Sequence, residues 1–257
     1  MKSLKNRTAI ILCGGKGTRL GLLGKKTPKS LVKINGRPII WYIIKNLIKN
    51  SFNHFILPTG FKGNLIKKYL LKKREFKNYK IEVINTGENS NIGKRIFLIK
   101  KKIISDNFLL MNGDAIFDFN LKKIFNTHNA SKNDLTFIGC ENQLAYGTVG
   151  MLNNKIVNFE RNITFNSVKV RGKPQFTAYV YSGMIIMNKK VLKINFKNFK
   201  NFEKQLYPII IKKFKSNFEI FKGFWHSIDN MKDVDATRKE NDIKKYNNIK
   251  KLIVKIK

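Results

Sequence analysis

The sequence is poor in cysteine, histidine, acidic residues and long apolar runs, and each shortage removes a class of protein. Its 257 residues include two cysteines, Cys13 and Cys140. Two cannot build a disulfide framework, and neither stands in a metal-ligand spacing. Both are expected as small buried residues on strands, in a reducing cytoplasm. The three histidines, His54, His128 and His226, are far apart and show no ligand spacing. They read as structural or surface residues. The longest apolar runs, such as Thr8–Cys13 and Pro38–Ile44, are too short to span a bilayer. Met1–Arg7 is basic, yet only a short strand-like run follows it, so no secretory leader is expected.

Acidic residues are the other shortage. Sixteen Asp and Glu face 52 Lys and Arg, a formal net charge of +36. Such a surplus can neutralise nucleic-acid phosphates. Here the lysines run from Lys2 to Lys257 in a chain crowded with Asn, Ile and Phe. That spread describes a solvated lysine surface, not a focused patch, so neither nucleic acid nor a membrane is expected as a partner. Homo-oligomerisation stays open. The 42% hydrophobic content suits a globular core.

Strand-like and helix-like runs alternate through the first half. Strands are expected at Thr8–Cys13, His54–Pro58, Lys80–Asn85, Asn107–Met111 and Asp134–Cys140. Helices are expected at Pro38–Asn50, Lys62–Leu71, Gly93–Ile104 and Leu121–Asn129. This order predicts a mostly parallel sheet with helices on both faces. Ligands then bind beyond the carboxyl ends of the strands. After about Gly147 the pattern changes. Strands are expected at Gly147–Leu152, Lys155–Glu160, Gln175–Met187 and Phe218–Phe221, and helices at Phe202–Lys215 and Met231–Tyr246. The plan is a single domain over residues 1–257: a nucleotide-binding half to about 140, a substrate half over about 141–246, and a basic tail at 247–257.

Cys13-Gly14-Gly15-Lys16-Gly17-Thr18-Arg19-Leu20 directly follows the first strand. Glycines let the backbone approach a phosphate closely, and successive N–H groups can form an anion nest. Two familiar phosphate motifs fail. The dinucleotide fingerprint stops because Leu20 stands in place of the third glycine. The P-loop fails because Lys26 follows Gly24-Lys25 where Ser or Thr is required. Ten residues on, Pro28 stiffens the loop and Lys29 supplies a positioned cation.

Taken together, Gly14-Gly15-x-Gly17-Thr18-Arg19-Leu20 and Pro28-Lys29-x-Leu31-Val32 resemble the signature of sugar-1-phosphate nucleotidyltransferases. Asn85-Thr86-Gly87-Glu88-Asn89-Ser90 through Ile96, and Gly223-Phe224-Trp225-His226-Ser227-Ile228-Asp229, resemble the glucose-1-phosphate cytidylyltransferase branch. The resemblance implies a three-layer α/β/α fold with a mostly parallel, Rossmann-like sheet of the nucleotide-diphospho-sugar transferase type. It implies an enzyme of EC 2.7.7 type that joins an NTP, CTP favoured, to a sugar 1-phosphate such as glucose 1-phosphate. Guanylyl, uridylyl or thymidylyl transfer to another sugar or heptose phosphate is the alternative, because Tyr146-Gly147-Thr148-Val149 looks as much like those branches. A non-catalytic nucleotide- or nucleic-acid-binding relic of the fold is the third reading. The product would serve polysaccharide synthesis.

Such chemistry needs no Ser or His nucleophile. A sugar 1-phosphate is already an anionic nucleophile, so the barrier lies in joining two polyanions. The resemblance implies catalytic roles for Arg19, Lys29 and Asp114. It implies Mg²⁺ on Asp114 and Asp229, a choice that suits hard carboxylate oxygens. It places the nucleotide against Cys13, Gly14, Gly15, Lys16, Gly17, Thr18, Arg19, Ser90 and Arg95. It places the sugar phosphate against Lys29, Gly147, Glu160, Arg161 and Gly183. Arg161 stands where the family has Lys, and Tyr181 where Asn is usual. Plainer readings compete: Asp229 as the N-cap before Met231, and Arg95 as an exposed helix charge beside Lys94 and Lys100.

Overall fold

The computed structural model describes residues 7–143, 147–161, 163–165, 167–169, 171–172, 174–238 and 251. Strand β1 (Thr8–Leu12) leads through the glycine loop into a 3-10 turn at Thr18–Leu20 and helix α1 (Gly21–Lys26). Helix α2 (Ile39–Lys49), β2 (His54–Thr59), α3 (Gly63–Leu71) and β3 (Lys80–Asn85) follow. Then come α4 (Ile92–Ile99), β4 (Asn107–Asn112), β5 (Ala115–Asp118) and α5 (Leu121–Ala130). The rest holds β6 (Leu135–Gln143), a hairpin of β7 (Gly147–Leu152) and β8 (Lys155–Arg161), and β9 (Tyr179–Asn188). Helix α6 (Tyr207–Lys213), β10 (Ser216–Ile220), β11 (Phe224–Ser227) and α7 (Met231–Arg238) complete the described elements.

The main sheet runs β6-β9-β4-β1-β2-β3, with Thr164–Phe165 and β10 both edging β6. Strands β4, β1, β2 and β3 are mutually parallel, while β9 runs antiparallel between β4 and β6. The period-2 alternation of these strands explains why both faces are covered. Ala9, Ile11, Phe55, Leu57, Leu109 and Met111 join a core with residues of α2, α3 and α5. Ile10, Ile56, Phe108 and Leu110 point the other way, to a second core with Ile96 and Ile99 of α4 and Ile210 of α6. The expected three layers are therefore present. The carboxyl ends of β1, β2, β3 and β4 open toward one edge, where the glycine loop lies.

Several boundaries differ from expectation. The helix expected at Gly93–Ile104 ends at Ile99 and continues as a 3-10 turn at Lys100–Lys102. The helix expected at Phe202–Lys215 is a π-type turn at Phe202–Leu206 followed by α6. Pro208, in the first turn of α6, has no N–H to continue the earlier ladder. The strand expected at Gln175–Met187 breaks at Ala178: Phe176–Thr177 pairs with Ser167–Val168, and β9 begins at Tyr179. Helix α1 and strand β5 carry no sequence signal strong enough to have been expected. The tail at 247–257, apart from Lys251, lies outside the described residues. Among the described residues, no helix is long and apolar enough to cross a membrane.

Candidate active site

The glycine loop is fixed from beneath by Arg95. Asn91 caps α4 by accepting from the Lys94 N–H, and the first turns of that helix carry Arg95 inward. Arg95 is only 5% exposed; its guanidinium is the hydrogen-bonding group. It donates to the Gly14 carbonyl (3.0 Å), the Thr59 carbonyl (2.8 Å), the Thr86 hydroxyl (2.7 Å) and the Glu88 carbonyl (3.2 Å). Three separate pieces of chain, at Gly14, Thr59 and Thr86–Glu88, are thereby tied to α4. Burial lowers the Arg95 pKa, yet a guanidinium keeps its proton inside proteins. Gly14 is required here, because a Cβ at that position would run into the guanidinium. Arg95 is thus a buried clamp, and its reading as an exposed helix charge is overturned. The signal misled because the adjacent Lys94 does face solvent.

The second feature joins three distant residues. Lys29 follows Pro28 in a 3-10 turn, Asp114 follows β4, and Asp229 follows β11. The Lys29 Nζ donates to Asp114 Oδ2 at 2.8 Å and to Asp229 Oδ1 at 2.9 Å. Both carboxylates therefore sit within one hydrogen-bond length of a single ammonium. The β5–β11 pairing and the Ile228 N–H to Asp114 carbonyl bond (3.0 Å) bring the two acidic segments together. Ser227 Oγ donates to Asp229 Oδ2 at 2.8 Å, and an Arg19 nitrogen lies 3.8 Å from Oδ1. Burial works against the Asp229 charge. The bonds from Lys29 and Ser227 and the charges of Lys29 and Arg19 outweigh it and hold this carboxyl below the usual aspartate range.

Asp229 is not the helix cap. The Asn230 side chain accepts from the Asp233 N–H (3.2 Å), while Asp233 accepts from the Asn230 N–H (3.1 Å). This reciprocal pair is a capping box, one residue beyond the position that competed with metal binding. It leaves the Asp229 carboxylate to face Lys29.

A cavity of about 680 Å³ lies between these features. Cys13, Gly14, Gly15, Lys16, Gly17, Lys29, Ser90, Arg95 and Asp114 all line it. Burial pushes the Cys13 thiol up to about 12, so it is a neutral wall, not a nucleophile. Lys16 reaches Glu88 at 3.3 Å across the mouth. Thr18 and Arg19 sit exposed in the 3-10 turn beside it.

The expected sugar residues divide. Gly183 adopts φ 76° and packs on Asn112, which lines the cavity. Glu160 and Arg161 do not line it. They lie on β8, which is exposed along its length, in a hairpin outside the main sheet. Gly147 pairs with Arg161 in that hairpin, and Tyr146 lies outside the described residues. Sequence reasoning missed the wall at Lys200–Glu203, which no local motif marks. The histidines are structural: His54 meets Thr8 Oγ1 (3.1 Å) and Glu82 (2.9 Å), and His128 meets Thr136 Oγ1 (2.8 Å).

Among the described residues, no group of three or more His, Cys, Asp or Glu side chains could enclose a metal. The donor set is two hard carboxylates already gathered around a cation. That set fits Mg²⁺, which commonly takes one or two carboxylates and completes its shell with phosphates and water.

A "Probable glucose-1-phosphate cytidylyltransferase" of Bacillus subtilis (strain 168) is 27% identical over 246 residues, covering 88% of this chain and 92% of that protein. A D-glycero-alpha-D-manno-heptose 1-phosphate guanylyltransferase of Aneurinibacillus thermoaerophilus is 32% identical over 156 residues, covering 59% of this chain and 66% of that protein. The crystal structure of HddC from Yersinia pseudotuberculosis complexed with GMP-PN shares the fold, with a TM-score of 0.64 at 23% identity, covering 89% of this chain and 96% of that one. The family model described as "Nucleotidyl transferase" matches residues 8–237, and the chain belongs to the nucleotidyl transferase family.

Proposed function

We propose that this protein transfers a nucleotidyl group, cytidylyl in the first instance, from an NTP to a sugar 1-phosphate and releases pyrophosphate. The observation that supports it most is the single Lys29 ammonium, which lines the glycine-loop cavity with Asp114 and is held by both Asp114 and Asp229. Those two carboxylates would hold Mg²⁺, which would neutralise phosphate charge when bound. The chain's own residues supply the rest. Backbone N–H groups of the glycine loop and the exposed Arg19 receive the β- and γ-phosphates. Lys29 moves its charge to the phosphates as they approach.

The acceptor is a phosphomonoester with a second pKa near 6, so its oxygen is anionic at neutral pH. That oxygen forms a bond to the α-phosphorus while the α–β bridging bond breaks. The electron pair leaves with pyrophosphate. No general base is required, and catalysis is positioning plus charge stabilisation. The cytidylyl preference rests on likeness to the Bacillus subtilis relative along 88% of this chain. Guanylyl transfer is the second reading, supported by the heptose-phosphate relative. A matrix of four NTPs against a panel of sugar 1-phosphates, read by pyrophosphate release, tests both. Turnover with CTP and glucose 1-phosphate is the expected result. Absence of release from every pair with Mg²⁺ present would reject the proposal.

A further inference from the structure

We infer that Ser227 is a positioning residue of the cation site: its hydroxyl holds one oxygen of Asp229 and thereby aims the other at the metal. The inference rests on the Mg²⁺ reading of Asp114 and Asp229 above. The Lys29 ammonium marks where a cation is held between the two carboxylates. It meets Asp114 Oδ2 at 2.8 Å and Asp229 Oδ1 at 2.9 Å. Asp229 Oδ2 meets a different group, the Ser227 hydroxyl, at 2.8 Å. A serine hydroxyl has one proton to donate and an ionised carboxylate can only accept, so the direction of this bond is fixed. One oxygen of Asp229 thus faces the cation position while Ser227 holds the other.

Asp229 needs such a hold. Its side chain is 40% exposed against 25% for Asp114, so packing constrains it less. The last torsion of an aspartate is broad and roughly two-fold, so a carboxylate held at one oxygen alone samples a wide range of orientations. The main chain around it is fixed by other means. The Asp229 N–H donates to Asp233 Oδ2 at 2.8 Å, and the Ile228 N–H to the Asp114 carbonyl at 3.0 Å. Ser227 itself pairs with Ala115 in the β5–β11 register. None of these bonds uses the Ser227 side chain. Removing the hydroxyl therefore frees the carboxylate and leaves the strand and the following turn in place. Groups that orient the ligands of a metal are typically worth about 10–100-fold in metal affinity or activity.

Mn²⁺ is the probe, because it takes the same hard oxygen ligands and its free ion is counted by electron paramagnetic resonance. Titration of the full chain without substrates should give a dissociation constant at least about tenfold weaker for Ser227→Ala than for wild type. Ser227→Thr keeps the hydroxyl and should stay within about threefold of wild type. Asp229→Asn sets the level at which this carboxylate contributes nothing. Cooperative urea unfolding of each variant separates a lost orientation from a lost fold. In turnover, the Mg²⁺ concentration giving half the maximal rate should rise in Ser227→Ala by the same factor as the Mn²⁺ constant. The KM values for both substrates at saturating Mg²⁺ should change less. An Mn²⁺ affinity of Ser227→Ala within twofold of wild type, or a Ser227→Thr affinity as weak as that of Ser227→Ala, would overturn the inference alone. A wild type that binds no Mn²⁺ would overturn the metal reading and the inference together, so the two failures are told apart.

Discussion

Replacing Lys29 by Ala removes a cation that lies within 3 Å of both acidic side chains, and the structure sets the size of the effect. The ammonium is 18% exposed, Asp114 25% and Asp229 40%. Breaking a fully buried pair costs about 3–5 kcal/mol, and an exposed one about 0–1 kcal/mol. This half-buried triad falls between them, so a loss of about 2 kcal/mol is expected at pH 7 without metal. The pH dependence follows from Asp229. Its carboxyl is held below the ordinary value of 3.8, so its stabilising contribution is complete above that pH. The contribution disappears as pH falls through the depressed value. Urea denaturation of wild type and variant should therefore differ at pH 7 and converge only as pH falls below 3.8. Added Mg²⁺ should stabilise the variant more than wild type, because the two carboxylates no longer have a resident counter-charge. Turnover should fall by at least about 100-fold, or roughly 3 kcal/mol of lost transition-state stabilisation. Equal stabilities at pH 7, or turnover within twofold, would refute the reasoning.

Asp114→Ala should abolish Mg²⁺-dependent pyrophosphate release while the circular dichroism melt stays cooperative; wild-type release would remove Asp114 from the mechanism. Gly14→Ala forces a methyl into the Arg95 guanidinium, so the NTP KM should rise about tenfold or more while the sugar phosphate KM changes less. Arg95→Lys keeps the charge but loses the fork that reaches four acceptors, and should show the same NTP-selective defect. His128 is fully buried, and burial holds its pKa down at about 4. Its neutral form favours the fold, so stability should be complete above 6.5 and decline as pH falls from 6.5 toward 4. Denaturant midpoints across that range should flatten in His128→Gln.

The parts of the fold written in local pattern were legible. The continuous apolar runs in Thr8–Leu12, His54–Thr59 and Asn107–Asn112 announce strands buried on both faces, and those strands carry the sheet. The glycine loop was legible because close backbone approach to phosphate demands a residue type. Asp114 and Asp229 are separated in sequence, and only resemblance paired them. The physical pairing comes from β5 and β11, and β5 gave no clear signal. Arg95 was misleading because a short helix in a lysine-rich stretch looks solvated, and only the docking of α4 turns that side chain inward. The Lys200–Glu203 wall was invisible because no local pattern marks the π-type turn at Phe202–Leu206, into which it leads. The cap at Asn230 was misplaced by one residue, since Asp229 and Asn230 both satisfy the local preference.

Lys29 bonds to partners 85 and 200 positions further along the polypeptide. Its anchors are therefore made late: a ribosome would have to release nearly the whole described chain before the third member of the cluster could dock. A nascent fragment ending before β11 would possess the phosphate loop yet lack half of the acidic pair.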